Sequence, residues 1–492
     1  MFPRPEIDLH SEVPLYRQLH QRIREFIRSG RLAKGERLPA TRGLAGMLGL
    51  NRTTVSAAYD LLESDGLISG HVGRGSFVTG EPSQAPATLN WEELLPAATA
   101  QPAPPEPASE EVISFATSRP AEALFPLEAF RASCQEVLRE SEIAAILQLG
   151  SPGGYPPLQH YLLEAARRAG VARLDDDVLV TNGCQQALDL IQRVLVRPGD
   201  TVALEDPVYA GPKNLFLRAG ARLAGVPVGP EGLEVAELER LLAAHRVRLL
   251  VATSNFQNPT GATLPAVARR AILRLARAAG VVVVENDIYG DLRYQGEPAP
   301  LMKRLDESGD TVLLGSFSKI TFPGLRVGWV IGPRALVSRL AEAKQWTDLH
   351  TDQLAQAVLL RFAESGRLEA HRAQVRAAGR ERLGAVLAAC ERCLPAGTTF
   401  TRPEGGMNLW VRLPEPLDAS ELLGRAQREG VSYLPGRYFE VSRRHRSSLR
   451  LSFAGLAPEK IRTGLAILGR VFSDELVRAR SFHRHAPVPA MV

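Results

Sequence analysis

Apolar residues at helical spacing open the chain. Leu15, Leu19, Ile23, Phe26 and Ile27 fall on one face of a segment that starts after Pro14 and stops at Gly30. After Leu38-Pro39, Thr41 is placed to cap a short helix through Leu48, and Gly49-Leu50 makes a turn. Asn51 is placed to cap a second helix, from Arg52 to about Glu63, which Gly66 ends. Leu67–Ser69 then pairs with Ser76–Thr79 across a glycine-rich tip as a small β-wing. Helix, helix, turn, helix and wing is the order of a winged helix-turn-helix, a mainly α module.

From residue 112 to 470 the pattern changes. Helical stretches alternate with short β-branched runs at Val178–Thr181, Thr201–Leu204, Leu249–Ala252, Val281–Val284 and Thr311–Gly315. This alternation predicts a large α/β domain with a mainly parallel sheet, whose ligands gather at the carboxyl ends of the strands. Between the two modules, residues 80–111 hold seven prolines among Ala, Ser, Thr and Glu, a semi-rigid linker with one apolar patch around Trp91. Residues 471–492 read as a C-terminal tail.

Composition changes this picture little. A chain of 492 residues needs two or three domains, and 45% hydrophobic with 23% charged residues is ordinary for a globular protein. The net charge of +5 names no partner, and eleven Lys/Arg against eight Asp/Glu over residues 1–80 is only weakly basic. Four cysteines argue against a disulfide scaffold and for a reducing compartment. Cys390 and Cys393 have CxxC spacing, but no second Cys or His pair accompanies them, so a helix end is the better reading and no metal is expected. Without a signal-like apolar stretch or a run of about 20 apolar residues, a cytoplasmic location off the membrane is expected.

Candidate chemistry falls at both ends of the chain. Arg52, Thr53 and Thr54, at the start of the second helix of the pair, offer one cation and two short hydroxyls to phosphate oxygens and base edges of double-stranded DNA. Thr41 and Arg42 at the first helix's start and Arg74 at the wing tip extend that set. A small helical domain with solvated arginines is the competing reading, and charge alone does not remove it.

In the large domain, Lys319 stands among small hydroxyl residues, with Ser316 and Ser318 before it and Arg326 seven positions after it, beyond Pro323-Gly324. An amine for imine formation and a guanidinium for a phosphate are what pyridoxal 5'-phosphate requires. Gly183, Cys184 and Gln185 open a helix after a strand, where free N–H groups accept phosphate. Tyr209 lies just past the next strand, suited to stacking on a planar ring. Asn258, in the Asn258–Gly261 turn, offers an amide to a phenolic oxygen. Arg450 sits inside an apolar, strand-like run, either as a solvated edge arginine or as a carboxylate clamp.

Two resemblances bind these motifs together. Pro14–Leu19, Gly35–Ala45, Asn51–Leu62 and Gly73–Val78 resemble, in order and without a gap over residues 11–79, the GntR family of bacterial regulators. Residues 112–470 resemble the fold-type I, class I aminotransferases, and the combination resembles the MocR subfamily. The resemblance implies a large α/β domain with a smaller C-terminal α/β subdomain and Lys319 as the Schiff-base lysine. Tyr209 would stack on the ring, with Asn258 and Tyr289 on its oxygen. Gly183, Cys184, Gln185, Ser316, Ser318 and Arg326 would surround the phosphate, and Arg450 would bind the carboxylate of a small amine or amino-acid effector. It also implies a head-to-tail homodimer.

The chain departs from that pattern in three places. Counting three back from Tyr289 gives Asn286 where the family presents an aspartate to the pyridine nitrogen; Asp287 is adjacent but belongs to the other face of a regular strand. Leu149 replaces a tyrosine that reaches the neighbouring subunit's phosphate, and Ser118 replaces a glycine. The departures favour a cofactor-binding regulator with weak or absent transaminase activity. A working aminotransferase with a DNA-binding appendage, and a regulator whose large domain only dimerises, are the alternatives.

Overall fold

The structure, a computed structural model, describes residues 2–8, 11, 13–71, 75–79, 89–95 and 112–485. The chain divides into two compact units, Met1–Ala97 and Ala98–Val492, with the boundary inside the expected linker. Of that linker, a helical turn at Trp91–Leu94 is described, and Trp91 and Leu94 are exposed. Residues 80–88 and 96–111 lie outside the described residues.

The first unit contains α1 (Leu15–Arg28), α2 (Thr41–Leu48), α3 (Arg52–Ser64), β1 (Ile68–His71) and β2 (Gly75–Val78). Leu19, Ile23, Phe26 and Ile27 of α1 pack on Leu44, Val55, Ala58 and Leu62 of the other two helices. Each fully buried Leu or Ile stabilises this small core by about 1.5–3 kcal/mol. Asn51 caps α3, its side chain accepting from Thr53 N at 3.2 Å. Thr41 is not a cap: it is the first helical residue of α2, Ala40 holds the cap position, and no side chain bonds there. The wing pairs antiparallel, Ile68 opposite Val78 and Ser69 opposite Phe77. Arg74 lies outside the described residues.

The second unit is built on an eight-stranded sheet. Its strands are β3 (Asp176–Thr181), β4 (Thr201–Asp206), β5 (Arg222–Gly229), β6 (Gly232–Leu233), β7 (Val247–Ala252), β8 (Val282–Asn286), β9 (Val312–Ser316) and β10 (Gly328–Pro333). They lie in the order β3-β10-β9-β8-β7-β4-β5-β6. The run from β9 through β8, β7 and β4 to β5 is parallel, while β10 is antiparallel to both its neighbours. The patterning anticipated five of these eight strands and missed β5, the two-residue β6, and β10, which carries Gly328 and Pro333. On one face of the sheet lie α4 (Gly183–Leu195) and α7 (Arg334–Asp348); on the other lie α5 (Val235–Ala244) and α6 (Ala266–Ala279). Helices on both faces explain why the strands are near-continuously apolar.

A second, four-stranded sheet contains β11 (Thr399–Phe400), β12 (Asn408–Arg412), β13 (Leu434–Pro435) and β14 (Ser448–Ser452), in the order β11-β12-β14-β13. Helix α8 (Arg367–Cys393) and helix α9 (Pro458–His485) pack together beside it. Cys390 and Cys393 close α8, a helix end. No structural boundary falls at residue 470, because α9 runs across it and buries Val471, Phe472 and Leu476. The segment expected as a tail is therefore, to His485, part of the large unit. Among the described residues no helix is long and apolar enough to cross a membrane.

Candidate cofactor and effector site

The site forms where β4, β7, β8 and β9 end and α4 begins. Lys319 follows β9 in a turn, and its Nζ donates to the Ser118 carbonyl at 2.9 Å and lies 5.9 Å from the Tyr289 ring centroid. Burial pushes its pKa down to about 8. About one amine in ten is then neutral at pH 7, against fewer than one in a thousand for an ordinary lysine. Ser118, which sequence reasoning flagged only as a missing glycine, holds the lysine with its backbone, a role open to any residue type.

Arg326 occupies the left-handed region at φ 55°, a conformation costing about 1–3 kcal/mol for a side-chain-bearing residue. Its guanidinium reaches Ser318 Oγ at 3.5 Å, the Pro323 carbonyl at 3.2 Å and the Asn182 carbonyl at 3.4 Å. Ser316 Oγ in turn donates to Ser318 Oγ at 2.9 Å. Gly183, at φ 74°, leaves room for this arginine: a Cβ there would stand 2.3 Å from Arg326 Nη2. The first turn of α4 has backbone N–H groups without intrahelical acceptors. Bare backbone, a guanidinium and two hydroxyls thus converge on one cradle fit for a phosphate. The Cys184 thiol donates to the Gly315 carbonyl at 3.3 Å, and burial pushes its pKa up to about 12, so it is a neutral packing group; Gln185 is exposed.

One residue missed in the sequence organises this cradle. Asp348, the last residue of α7, accepts from Asn182 Nδ2 at 2.6 Å and Gln186 Nε2 at 2.7 Å, and pairs with buried Lys344 at 2.6 Å. It ties the turn before α4 to a residue 166 positions away, a link no local pattern signals. Asp348→Asn is expected to weaken pyridoxal phosphate binding roughly tenfold, the loss of one charge-assisted hydrogen bond. Cofactor titration by absorbance checks this; unchanged affinity would leave Asp348 as fold support alone.

Tyr209, half-exposed, caps the helix after β4, and its N–H donates to the Asn258 carbonyl at 3.1 Å. Asn258 Nδ2 donates to Tyr289 Oη at 3.4 Å, and Asn258 Oδ1 accepts from Arg450 Nη1 at 3.1 Å. Arg450 is no solvated edge residue: it lies in β14 between two other strands, 3% exposed. Burial pushes its pKa down to about 10, Phe439 stacks 5.2 Å from its guanidinium, and Nε is buried without a partner. Phe439 carried no recognisable signal in the sequence.

At the end of β8, side-chain alternation is regular. Val283 packs toward α5 and α6, and Glu285 accepts from Met302 N and Lys303 N; Val284 packs toward α4 and α7, and Asn286 shares its face. Asn286 Oδ1 is buried with no partner. Asp287 is engaged elsewhere, accepting from Asn255 Nδ2 at 2.7 Å, with Arg269 holding the other end of that amide at 2.7 Å. Burial and the neighbouring Glu285 push the Asp287 pKa up to about 7. Leu149 is 72% exposed, and Tyr155 packs against the core.

The comparisons with known proteins divide as the structure does. Residues 15–78 match the family of bacterial regulatory proteins named gntR, and residues 110–468 match the aminotransferase class I and II family. The regulator TauR of Rhodobacter capsulatus is 32% identical over 93% of this chain and 96% of its own. The probable rhizopine catabolism regulatory protein MocR of Rhizobium meliloti is 30% identical over 95% of both. Among solved structures, LysN, the alpha-aminoadipate aminotransferase of Thermus thermophilus complexed with N-(5'-phosphopyridoxyl)-L-leucine, is 36% identical. It covers 79% of this chain and all of its own, with a TM-score of 0.72. A GntR-type helix-turn-helix at one end, a fold-type I aminotransferase domain over most of the rest, and full-length relatives of the same composition place this chain in the MocR-type branch of the GntR regulators.

Proposed function

We propose that this protein is a DNA-binding transcriptional regulator whose large domain holds pyridoxal 5'-phosphate on Lys319 and senses a small amine or amino acid there. The observation that carries the reading is the buried chain Arg450–Asn258–Tyr289 beside Lys319, in a protein that begins with a winged helix. The cofactor, when bound, supplies an aldehyde that an amine can capture reversibly. Lys319 provides the neutral amine for that capture. Arg326, Ser316, Ser318 and the backbone N–H groups of Gly183, Cys184 and Gln185 hold the phosphate, Tyr209 covers the ring, and Asn258 with Tyr289 donate to its oxygen. Arg450, desolvated and with a free Nε, binds the effector's carboxylate.

Asn286 meets the ring nitrogen with its orphaned amide and cannot hold a pyridinium charge as a carboxylate does. Turnover is therefore weak or absent. An effector shifts the regulator only if it binds one arrangement of the protein better than another. The protein acts as a homodimer, head-to-tail, on a double-stranded operator read by Arg52, Thr53 and Thr54. The second reading, a working aminotransferase, draws its support from the 36% identity to LysN and the intact Lys319, Arg326 and Arg450.

Titrating the cofactor-loaded protein with amines and amino acids, while following the visible band and operator affinity together, tests the proposal. A compound that moves both supports it; band shifts that never change affinity count against it. Multiple-turnover transfer to a keto acid would favour the second reading. Cofactor capture should slow about tenfold per pH unit below about pH 8 and level off above it, because the neutral amine is the reactive form; stopped-flow absorbance reads this. Arg52→Ala is expected to weaken operator binding at least tenfold with the visible band intact.

A further inference from the structure

A hollow of about 750 Å³ lies at the N-terminal ends of β4, β5 and β7, the edge of the sheet opposite the one carrying Lys319. Arg197, Asp200, Arg222, Arg246 and Arg248 form its charged rim, with His245 beside them. Three helices end there, α4 at Leu195, α5 at Ala244 and α6 at Ala279. Their carbonyl ends carry a partial negative charge, which accounts for one arginine: Arg248 Nε donates to the Leu195 carbonyl at 2.9 Å. Asp200 is spent on its own turn, accepting from Arg197 N at 2.8 Å.

The remaining guanidiniums have no such employment. Arg197, Arg222 and Arg246 are exposed, and among the described residues their side chains make no ion pair or hydrogen bond. Some other exposed arginines of this unit are paired within their helices, as Arg193 with Asp189, Arg240 with Glu237 and Arg339 with Glu342, so what marks the rim is three unengaged guanidiniums gathered at one end of the sheet. Thr201 of β4 pairs with both Arg222 and Val247, so Arg222 and Arg246 stand about two strand spacings apart, roughly 10 Å. The basic surface continues along β5. Gly225 N donates to Ser442 Oγ at 3.0 Å, and the loop beyond Ser442 carries Arg443 and Arg444, both exposed with unengaged guanidiniums. This stretch of β5 is a sheet edge, because β6 pairs only with Val228 and Gly229.

We propose that this rim and the Arg443-Arg444 loop form a second, sequence-independent contact for duplex DNA on the aminotransferase-like unit. The inference rests on the reading that the chain binds DNA. A small phosphate seated inside the hollow is disfavoured, since the helix carbonyl ends form its floor and no buried charged group reaches into it. A charged strand crossing the exposed rim avoids those carbonyls. With one phosphate of each strand per about 3.4 Å of duplex axis, roughly 10 Å of rim spans about three phosphates of one strand.

The test uses the full-length, cofactor-loaded protein and a 60-base-pair duplex of random sequence, with affinity followed by fluorescence anisotropy against KCl concentration. The triple variant Arg197→Gln, Arg222→Gln, Arg246→Gln should flatten the slope of log affinity against log salt by about 2–3 and weaken binding at least tenfold. Its thermal melting should match the parent; if it melts early, Arg443→Gln with Arg444→Gln, on a surface loop, gives the same comparison. An unchanged slope in a folded variant overturns the proposal, and so does an unchanged slope accompanied by loss of inorganic triphosphate binding, which would reassign the rim to small anions. Arg52→Ala keeps the two readings apart. If it abolishes binding while the rim variants leave the slope intact, only the rim fails; if the parent protein binds no duplex, both fail.

Discussion

Lys319→Ala is expected to abolish the visible band that pyridoxal phosphate gives with this protein, together with all borohydride-fixed cofactor. The lysine is the amine that the site desolvates, with a pKa pushed down to about 8 and the Ser118 carbonyl aligning its Nζ. The other buried or half-buried lysines of this unit are engaged: Lys344 by Asp348, Lys303 by Asp176 at 2.7 Å, and Lys213 by the Tyr438 and Glu440 carbonyls at 3.2 and 2.9 Å. The phosphate cradle of Arg326, Ser316 and Ser318 stays in place, so residual, non-covalent binding should persist. The loss of the covalent link should lower affinity roughly hundredfold, about 2.7 kcal/mol. Equilibrium dialysis against free cofactor, beside the absorbance spectrum, separates the two contributions. A band surviving the substitution would place the reactive amine elsewhere and remove the basis of the sensing proposal.

Asn286→Asp is expected to act in the opposite direction, raising exchange of the amino-acid α-proton with solvent deuterium by about 10²-fold, the scale of a preorganised electrostatic contact. The present amide oxygen is buried and unpaired, so a carboxylate of similar shape fits without displacing a partner. Asp287 is committed to a separate network, accepting from Asn255, whose amide oxygen in turn accepts from Arg269. The new carboxylate would favour the protonated pyridine nitrogen by ordinary charge pairing. Asn286→Leu, similar in size and uncharged, should give no gain. If Asn286→Asp leaves exchange unchanged while binding is retained, the block to turnover lies elsewhere, with Leu149 and Ser118 as the remaining departures.

These two residues show what was readable without a structure. Lys319, Arg326 and the Gly183 turn announce themselves by residue type and spacing, because imine chemistry and phosphate binding each need a particular functional group on a tight turn. The winged-helix order was equally legible, since α1 and α3 carry their cores at helical spacing and Asn51 caps as its type predicts. Thr41 was misread as a cap because a cap is decided by backbone dihedrals, and Ala40 takes the extended conformation there.

Other features had no local signature. Asp348 secures the phosphate turn from the far end of α7, and Phe439 stacks on Arg450 from a separate segment. Strand β10 was hidden by its Gly328 and Pro333, yet it fits because Gly328 packs against the bare backbone of Gly183. The helix α9 crosses residue 470 because Val471, Phe472 and Leu476 continue its apolar face into a core the linear pattern does not show.

Residue identity within short windows was enough for the two-part plan, the candidate amine Lys319, the arginine proposed for the phosphate and the amide at position 286. Tertiary structure decided how buried Lys319 and Arg450 are, and therefore how far their pKa values fall. It also decided that Asn286 shares the face of Val284 while Asp287 does not, and that unpaired arginines gather on a distant sheet edge. Desolvation, strand alternation and long-range pairing are properties of neighbours in space, and the chain order of residues does not carry them.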